Sequence, residues 1–270
     1  MRITQFHSEP LTTVPFMNAG RGGGPRFQDE LPVHHARVDR LPDGVSAIVV
    51  TADLQGRECK ADVDGVPGRL FGEVLPWMLI EEVFPCLGLE DPSRVATFLA
   101  GDFYTVPLLD KRGGTGDISS VWQSFNDCFA WGVGVAGNHD LFGKSWRPTP
   151  GFFSNMHYLD GDVLEVAGLR IGGLGGIIGN RAKPQRREEN EYFRALESLL
   201  RPELDVLIMH EGPEGLALDQ QGNSKIRDLL ERHPPHLVIR GHKHWAEPFA
   251  QFPGGLQILN VDARVVILTE

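Results

Sequence analysis

Five short apolar runs in this sequence each lead into residues that can bind a metal ion or a phosphate. Asp53 follows Ala47-Ile-Val-Val50, Asp102 follows Val95-Ala-Thr-Phe-Leu99, and Asn138-His139-Asp140 follows Val133-Gly-Val135. His210 follows Val206-Leu-Ile-Met209, and His242 and His244 follow Leu237-Val-Ile239. Carboxylates, an amide and several imidazoles together make a mixed oxygen and nitrogen donor set. Such a set suits Mn, Fe, Zn, Ni or Co better than a lone calcium site, which prefers oxygen alone.

Donors so far apart along a chain can meet only if the runs before them are neighbouring strands. The runs are β-branched and apolar, and each is bounded by Gly, Pro or Asp, the pattern of buried strands. In open α/β sheets, ligands bind in the crevice beyond the strands' carboxyl ends, where these donors stand. Between the runs lie amphipathic helical stretches. Pro76 is expected to open a helix through WMLIEEVF, and residues 190–200 and 223–233 read as two more, the last with Asn223 as N-cap. Residues 152–180 read as a β-meander with turns at Asp160-Gly161 and Ala167-Gly168. The last stretch, LQILNVDARVVILTE, reads as two strands turned at Asp262-Ala263. Residues 45–270 are expected to form one domain. Residues 1–44, with the Gly20–Pro25 loop, read as an N-terminal extension, either a mobile arm or a strap over the domain.

Composition narrows the function classes. The chain has 270 residues, 41% of them hydrophobic, which excludes intrinsic disorder. A net charge of −10 argues against a protein that holds long nucleic acid by neutralising phosphates, although a nucleotide could still enter a locally cationic pocket. Three widely spaced cysteines with no CxxC suit a reducing compartment. The opening residues show no secretory pattern, and no apolar stretch approaches the roughly 18 residues of a membrane span. The expected location is cytoplasmic, with no membrane partner.

The ordered series D-x-Q, GD, GNHD, H, GHKH across residues 46–245 resembles the calcineurin-like metallophosphoesterase superfamily, whose first motif is ordinarily D-x-H. The resemblance implies an α/β fold, a four-layer αββα sandwich of two mixed sheets flanked by helices. It also implies two divalent metal ions, Mn foremost and Fe, Zn, Ni, Co or Mg as alternatives. Asp53 and His244 would bind the first ion with Gln55 beside them, and Asn138, His210 and His242 the second. Asp102 would bridge the two. His139 would lie over the substrate phosphate and Asp140 would orient its imidazole. The implied reaction is hydrolysis of a phosphoester by a hydroxide activated between the metals. The expected substrate is a small molecule or nucleotide phosphodiester. The alternatives are a phosphomonoesterase, or a weakened metal-binding or scaffold member of the same fold.

The donor types fit that chemistry. Two divalent ions against Asp53, Asp102 and a hydroxide leave a cluster charge of about +1, which attracts phosphate. Gln55 keeps that charge but replaces an imidazole with a weaker amide oxygen, or supplies no ligand, so the first site is expected to be weaker or to favour Mn or Mg over Zn. Arg57, Tyr104 and Arg240 neighbour these donors and are candidate substrate contacts, with packing or surface ion pairing as the plainer account. His34 and His35 read as solvated loop residues, and His157 as structural. Gly143-Lys144-Ser145 lacks the Walker A spacing, and Gly172–Gly176 has Ile178 where a dinucleotide loop needs its third Gly, so both read as ordinary backbone.

Overall fold

The computed structural model describes residues 1–20, 22, 24–59, 68–149 and 151–270. Arg21 and Gly23 of the expected Gly20–Pro25 loop lie outside them. The first half of the chain forms β1 (Ile3–Phe6), β2 (Thr12–Asn18), β3 (Phe27–Val38), β4 (Ala47–Ala52), α1 (Phe71–Met78), β5 (Val95–Leu99), β6 (Gly116–Asp117), α2 (Ser119–Cys128) and β7 (Trp131–Gly134). Then come β8 (Asp140–Leu141), β9 (Met156–Tyr158), β10 (Asp162–Val166), β11 (Leu169–Leu174), β12 (Ile177–Ile178), β13 (Arg186–Arg187) and α3 (Glu189–Leu199). The chain ends with β14 (Val206–Met209), α4 (Ser224–Arg232), β15 (Leu237–Arg240), β16 (Phe249–Gln251), β17 (Gln257–Asn260) and β18 (Arg264–Thr269).

Two large mixed sheets result. One runs β1-β3-β18-β4-β5-β7-β9, with β2 paired to β3, and the other runs β10-β11-β14-β15-β17-β16. In the second sheet the four central strands are parallel, while β10 and β16 are antiparallel edges. Side chains alternate between layers, as the period of a strand dictates. Ile48 and Val50 of β4 meet Ile171, Val206, Ile208 and Ile239 of the other sheet in a central core. Val49 faces the opposite way, onto Phe71, Leu75, Val121 and Trp122 of α1 and α2. Leu207 and Met209 pack against Leu196 of α3 and Leu230 of α4. Three stacked cores between helices, sheet, sheet and helices make the αββα sandwich. Strands buried on both faces explain why the runs are apolar at every position.

Five local expectations differ from the fold. Residues 1–44 are no detachable strap: β1, β2 and β3 pair into the first sheet, and β3 lies parallel to β18 near its middle. Polar residues in that segment masked a strand whose inward positions, Leu31 and Val33, are fully buried. Residues 152–180 are not one meander, because β9 belongs to the first sheet and the β10–β11 hairpin to the second. Likewise β17 and β18 belong to different sheets, so Asp262-Ala263 is a crossover rather than a hairpin turn. Pro76 sits inside α1 instead of opening it. The helix starts at Phe71, where the Glu73 carboxylate accepts the Leu70 N–H, and past Met78 it widens into a π turn. A proline removes one helical hydrogen bond and crowds the preceding turn, and a locally widened helix accommodates that. Asn223 caps α4 as expected, its Oδ1 accepting the Ile226 N–H at 3.2 Å. His34 and His35 lie in β3, with His34 buried against Phe6.

Candidate metal centre

Strands β4, β5, β7, β14 and β15 deliver the donor residues to one end of the sandwich. The turns that follow are tight. Asp53, Asp102 and His242 have φ of 58°, 60° and 70°, the left-handed region that a residue with a Cβ enters at a cost of about 1–3 kcal/mol. Backbone strain of this kind persists where it aims side chains at a common point. The motif glycines have a steric reason. A Cβ at Gly137 would collide with the Asp102 carboxylate, and a Cβ at Gly241 with the Asp53 carboxylate. Asn138 and His242 can therefore approach those carboxylates only if Gly precedes each of them.

The tightest convergence is around Asp102. Its Oδ2 lies 3.4 Å from His210 Nε2, and His210 Nε2 lies 3.3 Å from Asn138 Oδ1. Donor atoms of Asp102, His210 and His242 all lie within 4.8 Å of one another. His210 Nδ1 donates to the Ala100 carbonyl at 2.8 Å, which fixes the ring and turns Nε2 toward the cluster. The Asp102 Oδ1 accepts the His139 backbone N–H at 2.9 Å, so that carboxylate is held on both sides. Gln55 Nε2 donates to Asp102 Oδ2 at 3.2 Å, an amide placed as a donor to the carboxylate that would bridge. Asp53 Oδ2 accepts the His242 N–H at 2.9 Å. Asp53 and His244 line the same cavity, outside the tight group.

The electrostatics of the bare site suit a cation. Burial, then the neighbouring Asp262, push the Asp53 carboxyl well above its usual range. Burial also opposes charge on Asp102, but His210 and the hydrogen bonds around it outweigh that and hold Asp102 below the usual value. On His210 burial is outweighed by Asp102 and Asp53, so the imidazole is pushed up to about 10. Burial and His210 push His242 down to about 3, so it stays neutral and able to donate a lone pair. Buried carboxylates beside imidazole and amide donors are the chemistry of a divalent-cation site. The residues present fit the metal.

Asp140 does not orient the His139 ring. Its carboxylate accepts the backbone N–H groups of Asp102, Gly137 and Phe103 at 2.7, 2.8 and 2.9 Å. Burial, then Asp102, push it up to about 6. It ties the GD turn to the GNHD turn, a positioning role visible only in the fold. His139 lines the cavity, and its buried Nδ1 has no hydrogen-bond partner among the described residues.

The three candidate substrate contacts lie elsewhere. Arg57 donates to the carbonyls of Thr105, Val106 and Gly68, clamping a loop. Tyr104 packs half-buried against Gly114 and Gly116. Arg240 is wholly buried, stacked on Trp245 and donating to the Gln221 and Lys243 carbonyls. None of the three lines the cavity.

That cavity, of about 470 Å³, has walls the sequence did not reveal. Phe16, Asn18, Asp29, Glu30 and Leu31 of the β2–β3 hairpin form one side, and Arg112 and Asp262 join the donors. Among the described residues Arg112 is the one Arg or Lys lining it. Asp262 carried a signal, since it follows the Ile258-Leu259 pair of β17 as the other donors follow their apolar runs. Arg112 carried none beyond the Gly-rich connection around it.

Residues 47–246 match the family model for calcineurin-like phosphoesterases. No curated protein matches the sequence. Among solved structures, TT1561 of Thermus thermophilus aligns with a TM-score of 0.53 at 14% identity, over 81% of this chain and 90% of that one. A phosphopantetheinyl hydrolase of Mycobacterium tuberculosis aligns with a TM-score of 0.42 at 14% identity, over 81% and 90% of the two chains. A hypothetical protein of Thermus thermophilus gives a TM-score of 0.42 at 17% identity, over 79% and 75%. The family match runs from the first residue of β4 to just past His244, across every strand end that brings a donor to the cavity, and the chain belongs to the calcineurin-like phosphoesterase family.

Proposed function

We propose that the protein hydrolyses a small phosphodiester, of a nucleotide or another small molecule, with two divalent ions, Mn foremost. The observation that carries this reading is the meeting of Asp102, Asn138, His210 and His242 beside a cavity large enough for a small ester, which Asp102 and His242 line. Asp102, Asn138, His210 and His242 would hold one ion; Asp53 and His244, with Gln55 beside them, would hold the other against Asp102. When bound, such ions supply positive charge that acidifies water and draws phosphoryl oxygens.

The chain's own groups do the rest. Arg112 faces the cavity with a cation that can pair with a phosphoryl oxygen. His139 presents an imidazole that can pass a proton to the leaving oxygen, with its backbone N–H anchored on Asp102. The apolar side of the cavity, Phe16, Leu31, Leu54 and Phe71, gives the leaving group a surface that excludes water. A non-catalytic role is disfavoured by the retention of His139, which a purely structural metal site does not need.

Hydrolysis of bis-p-nitrophenyl phosphate against p-nitrophenyl phosphate, both with Mn²⁺, tests the reading. The diester is expected to turn over faster. Turnover of the monoester alone would make the enzyme a phosphomonoesterase.

A further inference from the structure

Gln55 stands where the family's D-x-H motif has an imidazole, so the first metal position is one donor short. A replacement lies close by. Asp262 stands just past β17, outside the D-x-Q, GD, GNHD, H, GHKH series. Its backbone bridges to Ala52, the residue before Asp53, and the next residue, Ala263, donates its N–H to the Ala52 carbonyl at 3.1 Å. Ala263 has φ 50°, the same kind of strained turn that aims Asp53, Asp102 and His242. Asp262 is 5% exposed and lines the cavity beside Asp53 and His244.

Its carboxylate is short of partners. His244 Nδ1 lies 3.4 Å from Asp262 Oδ1, and among the described residues no hydrogen-bond donor other than this ring reaches the carboxylate. Arg240 and Arg264 are close enough to feel its charge, yet neither pairs with it; Arg264 Nε donates instead to the Asp262 main-chain carbonyl at 3.3 Å. A carboxylate this buried, facing a cavity and met among the described residues by one imidazole alone, calls for a cation. His244, in turn, has Arg264 Nη2 3.1–3.2 Å from both ring nitrogens, which leaves the imidazole a poor sole support for the first ion.

We propose that Asp262 is a ligand of the first metal position, standing in for the imidazole that Gln55 replaces. This rests on the metal-dependent reading of the site and adds a residue to it. A third carboxylate hardens the donor set toward oxygen, which favours Mn²⁺ or Mg²⁺ over Zn²⁺ there.

Mn²⁺ titration followed by electron paramagnetic resonance, on the wild-type protein, Asp262→Asn and the double variant Asp262→Asn/Gln55→His, reads the site without reference to turnover. The wild type is expected to bind two ions. In Asp262→Asn one of them should weaken by at least about 10- to 100-fold while the other is unchanged, and adding Gln55→His should restore it. Two ions bound by Asp262→Asn with wild-type affinities would overturn the proposal, as would a wild type that binds one. Should the variant not fold, crystals of the wild type soaked in Mn²⁺ decide: an anomalous peak touching an Asp262 carboxylate oxygen supports ligation, and two peaks with Asp262 turned away refute it. A wild type that binds two ions, the first through Asp262, yet cleaves no phosphoester would fail the functional reading and leave this one standing.

Discussion

His139 shows how far residue types alone can carry an account. Its place in GNHD marked it for chemistry, and the fold sets it on the cavity wall with a buried Nδ1 that no group among the described residues satisfies. Replacing it with Ala should lower turnover by roughly 100- to 10,000-fold, the usual range for a lost proton-transfer group, while metal content measured by mass spectrometry stays near that of the wild type. A metal-free His139→Ala protein would place the ring among the ligands instead. A second expectation comes from charge. Burial disfavours a proton on His210, but Asp102 and Asp53 outweigh it and push the group up to about 10, so without metal it holds a proton that a ligand must lose. Below that value metal and proton compete, so Mn²⁺ affinity should rise with pH from 6 to 9, by about tenfold per unit for each proton displaced. Calorimetry in buffers of different ionisation enthalpy would detect the released proton, and uptake without release would contradict the charge assignment. The sequence pairs Asp140 with the His139 ring beside it, but in space its carboxylate meets backbone N–H groups instead. Its three backbone N–H partners come from two turns that only the sheet brings together.

At the scale of elements, the central strands were legible because a strand buried on both faces must be apolar throughout. Val95–Leu99 and Val206–Met209 have the bounds that their runs suggested. The N-terminal strands were not, because β3 carries Gln28, Asp29, Glu30 and two histidines that break the apolar pattern, one of them, His34, buried. Turn chemistry also misled: Asp160-Gly161 and Asp262-Ala263 look like hairpin turns, yet each takes the chain from one sheet to the other. Which sheet a strand joins depends on long-range pairing that local pattern does not encode. The β2–β3 hairpin therefore has two roles, core and cavity wall. Val14, Leu31 and Val33 are fully buried in the core between the first sheet and α1 and α2, and each contributes about 1.5–3 kcal/mol of burial. Their combined loss approaches the 5–15 kcal/mol that roughly bounds a domain's stability. A chain of residues 45–270 should show no cooperative thermal transition by circular dichroism. A sharp transition at the temperature of the full chain would mean that residues 1–44 are dispensable after all.

For the whole molecule, the αββα layering turns five distant chain segments into one site. The helices bury the outer faces of the sheets and the central core locks the sheets together, so the carboxyl ends of β4, β5, β7, β14 and β15 stay in register. No helix among the described residues is long and apolar enough to cross a membrane. The donor order was readable in the sequence because each donor follows its own strand. The cavity's other walls were not, since Arg112 and the β2–β3 hairpin reach it through loops and pairings with no motif. Asp102 is the group on which His210, Gln55 and the His139 backbone all converge. Metal content and hydrolysis of bis-p-nitrophenyl phosphate, measured side by side for the wild type and Asp102→Asn, test metal-dependent hydrolysis most directly. The wild type should carry divalent metal and cleave the diester, and the variant should lose metal and at least about 100-fold in turnover. Equal turnover in both proteins, or turnover that survives complete chelation, would contradict it.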